Sequence, residues 1–253
     1  MPQTLHQSQL IVAPAAELAR LLAERLLDQR RQQPGRALGL ATGRTMEPVY
    51  LALAEAWRAL SPGECAQRRR QWLSFNLDEY VGLSAADPRC FRAVMQRQLV
   101  RPLGLDPARV HLPAGDAGDP AAAAARYGAE LAAAGGIGLQ LLGIGLSGHV
   151  GFNEPPSEPS SSCRVVELDA TTRHQNAADF GGDAALVPQR AISLGLAEIL
   201  AAEEIVLMAT GAHKAAVLRR ALREPPTAAL PASWLQGHPA LTVLADAAAA
   251  AEL

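Results

Sequence analysis

The chain has 253 residues, 49% of them hydrophobic and 19% charged, with a formal net charge of −2. That length carries one large domain or two small ones, and the near-neutral balance excludes a general affinity for nucleic acid or an anionic membrane. No stretch of about 20 apolar residues runs without a break or a charge, so no transmembrane helix is predicted.

Met1–Leu10 lacks the basic start and apolar continuation of a signal peptide. Leu10–Val12 reads as a short strand leading to a helix over Pro14–Arg31, where Leu18, Leu21, Leu22, Leu26 and Leu27 mark one face. Pro34–Gly35 breaks that helix. Ala37–Ala41 is apolar, Thr42-Gly43-Arg44-Thr45 is a small-residue turn, and Pro48–Leu60 reads as a helix. Strand, turn and helix in that order form the βα half of a βαβ unit. The pattern continues with a strand over Trp72–Leu77 and a helix over Phe91–Val100 that ends before Pro102. A short strand at Val110–Leu112, an alanine-rich helix over Pro120–Ala133 and a strand over Ile137–Ile144 follow. The last of these is apolar except for Gln140, as for a strand buried on both faces. Residues 151–190, rich in Pro, Ser and Gly, read as an irregular lid or binding loop. Beyond them the spacing predicts a helix over Ala191–Leu200, a strand over Glu204–Thr210, a helix over His213–Leu222, a short helix at Ser233–Gln236 and a last strand at Leu241–Ala245. The whole, 1–253, is read as one α/β domain: a three-layer α/β/α sandwich with a mostly parallel sheet, Rossmann-like, with an irregular lid.

Two compositional details bear on chemistry. Cys65, Cys90 and Cys163 are scattered and form no CxxC pair, which suits a reducing cytoplasm and argues against a disulfide scaffold or a cysteine zinc site. Of 23 Lys+Arg residues only Lys214 is lysine. In a chain that writes nearly every cation as arginine, it marks either a place where arginine will not do or a surface residue left by chance.

Four strand-end loops carry reactive side chains. Gly143-Ile144-Gly145-Leu146-Ser147-Gly148 fits the G-x-G-x-x-G pattern after a strong strand, but no helix opens behind it and it lies past the chain's midpoint. It is not G-x-S-x-G either, because His149 stands second after Ser147. What remains is a glycine-rich turn, with Gly148 in it, at the strand end where open α/β sheets bind ligands. His149 and Glu154 beyond it form either an acid/base pair or a structural cap. Asp78-Glu79 is either a second acidic site or a solvated turn. Thr42–Thr45 offers backbone N–H groups, hydroxyls and a guanidinium at a helix N-terminus, which suits a phosphate, or is a plain turn with a cap. Lys214, after Thr210-Gly211, suits a phosphate or a Schiff base. No His/Cys/carboxylate set has metal-ligand spacing.

Taken jointly, these segments resemble the glucosamine-6-phosphate deaminase/isomerase group, which is related to the 6-phosphogluconolactonases. The resemblance rests on Leu38-Gly39-Leu40-Ala41-Thr42-Gly43-Arg44-Thr45, Phe75-Asn76-Leu77-Asp78-Glu79-Tyr80-Val81-Gly82-Leu83 and Gly148-His149-Val150-Gly151-Phe152-Asn153-Glu154-Pro155. It continues through Ala191–Gly195, Gly211-Ala212-His213-Lys214-Ala215 and Pro231–Gln236. It implies aldose–ketose isomerisation with loss of ammonia from a 2-amino-2-deoxyhexose 6-phosphate, with no metal or organic cofactor. By position, Asp78 is then the base between C2 and C1, His149 opens the ring, Glu154 tunes it, and Thr42–Thr45 with Lys214 hold the phosphate. The implied partner is a small sugar phosphate, with self-association into a homo-oligomer allowed. Two positions depart from the group's usual pattern: Ser147 stands where an aspartate is usual, and Ala178 where a lid arginine falls. Both are closer to the galactosamine-6-phosphate branch. A lactonase and a non-catalytic sugar-phosphate binder are the alternatives on the same scaffold.

Overall fold

The computed structural model describes residues 9–33 and 35–253. Met1–Ser8, which carry most of the signal-peptide reading, and Pro34 of the predicted break lie outside them. The elements are β1 (Gln9–Val12), α1 (Ala15–Gln32), β2 (Ala37–Leu40), α2 (Glu47–Arg58), α3 (Pro62–Gln71), β3 (Ser74–Asn76) and β4 (Asp78–Tyr80). They continue with α4 (Phe91–Met95), α5 (Arg101–Leu103), β5 (Val110–His111), α6 (Pro120–Ala133), β6 (Ile137–Leu142), β7 (Arg164–Glu167) and α7 (Ala170–Asn176). The last are β8 (Arg190–Ser193), α8 (Leu196–Leu200), β9 (Glu204–Ala209), α9 (Ala215–Arg223) and β10 (Leu241–Ala245). Seven strands form a parallel sheet in the order β1-β10-β9-β6-β2-β3-β5, flanked by helices, which is the α/β architecture read from the pattern. The inner strands β2 and β6 are buried at every position, since helices cover both faces of a parallel sheet. Among the described residues no helix is long and apolar enough to cross a membrane.

The structure corrects four expectations. Ala191–Leu200 is not one helix: Arg190–Ser193 is strand β8, and the helix starts only at Leu196. Alanine and leucine favour a helix, but β8 pairs antiparallel with both β4 and β7, and tertiary pairing overrides local propensity. Gly195 then resets the backbone, its N–H held by the Glu198 carboxylate at 2.9 Å. Residues 151–190 are not irregular throughout, because β7, α7 and short 3₁₀ turns at 177–180 and 184–186 lie within them. Asp78-Glu79 is not a solvated turn but part of buried strand β4, on the edge of a second, three-stranded antiparallel sheet β4-β8-β7. The helix begun at Phe91 does not stop before Pro102. It widens into a π turn over Gln96–Val100 and runs on to Leu103, ending at left-handed Gly104. In the widened turn Arg101 N–H bonds Gln96 O, and Pro102 stands at the start of the following turn, where a missing N–H costs little.

Helix α3, not foreseen in the sequence, is set by a capping box in which Ser61 and Glu64 satisfy each other's backbone N–H. Two apolar clusters meet at the junction of the sheets. The main core fills the large sheet, and a smaller one gathers Tyr80, Phe152, Phe180 and Ala191 behind the second sheet.

Candidate active site

The C-terminal ends of β2, β6 and β9 face β4 across a cavity of about 380 Å³. This is the edge where open parallel sheets expose backbone N–H groups and loop side chains to ligands. One end of the cavity is cationic and the other carries the acid/base groups.

Thr42, Gly43, Arg44 and Thr45 line the cationic end, immediately before the 12-residue helix α2. Gly43 has φ +98°, which a side chain would resist, and its carbonyl accepts from Met46 N at 2.9 Å, which closes the turn ahead of α2. Lys214 closes this end from the 3₁₀ turn Ala212–Lys214 that opens α9. Its loop is pinned by Gly211 N–H, which donates to both Asp246 carboxylate oxygens at 3.0 and 2.9 Å. Burial first, and then the charge of Arg44, lower the pKa of the Lys214 ammonium. Among the described residues neither Arg44 nor Lys214 forms a salt bridge, and two like charges that feel each other on one cavity favour an anion between them. His213 also lines this end.

At the other end Asp78 is 6% exposed and opposes Ser193 across the β4–β8 ladder. Burial, and then the neighbouring Glu79 carboxylate, push its carboxyl up to about 8. Glu79 points to the opposite side of the strand, where it accepts from Phe91 N at 2.9 Å, Arg92 N at 2.8 Å and Tyr80 N at 2.9 Å, capping α4. Alternation along β4 thus gives one acid to the cavity and the other to structure. His149 leans over Gly145, where a Cβ would lie 2.1 Å from the ring, so only glycine leaves room for the imidazole. Its Nδ1 lies 2.8 Å from Ser147 Oγ and 3.3 Å from Glu154 Oε2. Burial works to raise the Glu154 carboxyl, but hydrogen bonding and the charge of His149 outweigh it and hold Glu154 below its ordinary value. Among the described residues no group of three or more His, Cys, Asp or Glu side chains is arranged to hold a metal ion.

A profile described as glucosamine-6-phosphate isomerases/6-phosphogluconolactonase matches residues 12–243. The chain belongs to that family. It is 42% identical to a glucosamine-6-phosphate deaminase of Streptomyces coelicolor, over 97% of this chain and 92% of the relative. It is 44% identical to a glucosamine-6-phosphate deaminase of Rhodopirellula baltica, over 90% and 88%. The solved structure of a monomeric glucosamine-6-phosphate deaminase superposes with a TM-score of 0.88 at 33% identity, over 97% of this chain and all of that one.

Within this family member the structure brings Thr42, Gly43, Arg44, Thr45, Asp78, His149 and Lys214 onto one cavity wall. Glu154 does not line it and stands behind His149. Gly148 does not line it either: its φ is +82° and a Cβ there would meet Leu230 Cδ1 at 2.2 Å, so it shapes the turn instead. Asn153, in the same string, is wholly buried and structural, holding Val150 O, Leu194 O and Arg164 together. Sequence reasoning missed Tyr80, Gln175, Asn176, Asp179 and His213 on the wall, and Thr172 behind it. Tyr80 and His213 flank recognised motif residues and were within reach. The α7 residues carried no signal, because a seven-residue helix inside a Pro/Gly-rich stretch has no periodicity to read.

Proposed function

We propose that this protein converts a 2-amino-2-deoxyhexose 6-phosphate, foremost glucosamine 6-phosphate, to the ketohexose phosphate and ammonia. The observation that carries the reading is the cavity itself, with a cationic phosphate cradle at one end and a buried carboxyl plus an imidazole at the other. The deaminase relatives over nearly the full chain support it.

The phosphate sits on the Thr42–Thr45 amides with Arg44 and Lys214 as counter-charges. His149 takes the proton of the anomeric hydroxyl and returns it to the ring oxygen, opening the ring. Glu154 stabilises the imidazolium formed in between. Asp78 removes the proton from C2 and delivers it to C1, while the amino nitrogen gives up a proton and the C1 oxygen gains one, leaving a C1 hydroxyl and an imine at C2. Water adds to that imine and ammonia leaves, giving the ketone. A carboxyl near neutral pKa suits both halves of that transfer. Three free cysteines accord with a cytoplasmic setting.

Ammonia release from glucosamine 6-phosphate and galactosamine 6-phosphate, measured beside hydrolysis of 6-phosphogluconolactone, tests the reading. Turnover of the glucosamine epimer is expected. Turnover of the galactosamine epimer alone would trace to the Ser147 and Ala178 departures, and lactone hydrolysis without ammonia would overturn deamination.

A further inference from the structure

Three oxygens converge on His149 Nδ1: Ser147 Oγ at 2.8 Å, Thr172 Oγ1 at 3.3 Å and Glu154 Oε2 at 3.3 Å. Ser147 Oγ lies 3.4 Å from Glu154 Oε2 and donates to it. A hydroxyl has one proton to give, so once that of Ser147 points at the carboxylate, its oxygen can only accept from the imidazole. An ionised carboxylate likewise only accepts. The arrangement is satisfied when Nδ1 carries the hydrogen and Nε2 keeps its lone pair. Among the described residues Nε2 has no hydrogen-bond partner, and the ring lines the cavity.

Thr172 joins this cluster from outside. It belongs to α7, is 1% exposed and lies 23 residues beyond His149. A helical threonine usually turns its hydroxyl back onto its own helix, yet this one reaches the Glu154 carboxylate, to which it can only donate, and the imidazole nitrogen, from which its oxygen then accepts. Other residues of the same helix reach the cavity: Gln175 and Asn176 line it, and Asn176 Nδ2 donates to Tyr80 Oη at 2.9 Å. Two residues before the histidine stands Ser147, a neutral hydroxyl, so among the described residues Glu154 is the one carboxylate within reach of Nδ1.

We propose that Thr172 is a positioning residue for His149: with Ser147 it holds the Nδ1 hydrogen, and so presents the bare Nε2 to the sugar ring. This rests on the deaminase reading of the same site. The role places part of the acid/base machinery on α7, a helix 23 residues beyond the histidine it serves.

Thr172→Val keeps the shape and removes the hydroxyl, whereas Thr172→Ser keeps the hydroxyl. Thr172→Val is expected to lower kcat about 10- to 100-fold, with KM for the sugar phosphate within about twofold, because the lost bond orients the reacting nitrogen. Thr172→Ser is expected to stay within about threefold of the parent. Nitrogen-15 NMR of the free enzyme, with His149 assigned by its loss in His149→Gln, reads the tautomer without any substrate. The parent and Thr172→Ser are expected to hold Nδ1–H, and Thr172→Val to lose that preference. An unchanged tautomer and kcat in Thr172→Val, or equal damage from Val and Ser, would overturn the proposal. If the parent releases no ammonia from any amino-sugar phosphate, the deaminase reading fails while the NMR comparison still decides the role of Thr172.

Discussion

The two ends of the cavity are built in different ways. The cationic end comes from βα loops of the large parallel sheet, where a strand, a turn and a helix N-terminus follow one another in the chain. The acid/base end is assembled from β4, the turn after β6 and α7, separate segments of the chain that only tertiary packing brings together. Local sequence therefore places the residues of the cationic end, which lie in contiguous turns. Proton transfer needs desolvation and an oriented imidazole, and those are properties of packing.

That contrast can be broken most sharply at Asp78. Asp78→Asn is expected to lower kcat about 10²- to 10⁴-fold, the usual worth of a general base, while substrate affinity holds within a few-fold. A collapse of affinity instead would place Asp78 in binding. Next in size, Gly145→Ala would drive a methyl into the His149 ring, since a Cβ there lies 2.1 Å from it. A loss of about 100-fold in kcat is expected from the displaced imidazole, with phosphate-site affinity kept. At the other end, Lys214→Ala should raise KM about 10- to 100-fold and change kcat little, because a charge-assisted bond to phosphate is lost. Lys214→Arg sharpens the test. Near-parent KM would mean that the single lysine of the chain reflects chance rather than the geometry of the cradle.

Smaller effects concern pH. With the Asp78 carboxyl up at about 8, kcat/KM is expected to rise with pH along a limb centred near that value, as the base must be ionised. The same shift has a stability sign. A carboxyl raised from 3.8 to about 8 favours the folded state below pH 4, and that contribution is lost as pH climbs through 8. Asp78→Asn removes the cost of an ionised buried acid, so its melting temperature should exceed the parent's at pH 8 and converge with it near pH 4. The stabilisation at pH 8 is at most about 5 kcal/mol.

How much was legible follows the same divide. The strings that hold Thr42–Thr45 and Lys214, and the inner strands as segments, could be read because each is contiguous and a doubly covered strand is apolar throughout; the order of those strands in the sheet could not. Glu79 could not be separated from Asp78, because only pairing of β4 with β8 decides which carboxylate faces the cavity. Gly148 stood inside a ligand-type turn and yet faces Leu230, a neighbour 82 residues away that no local pattern names.

The sequence by itself determined the α/β class and the mostly parallel sheet, through hydrophobic period and short strings of turn residues. Only the tertiary structure decided the second sheet, the burial that raises Asp78, and the meeting of Ser147, Glu154 and Thr172 at one imidazole nitrogen. The reason is physical. Periodicity and turn chemistry act over a few residues, whereas desolvation and hydrogen-bond convergence depend on which distant segments share the same few ångströms.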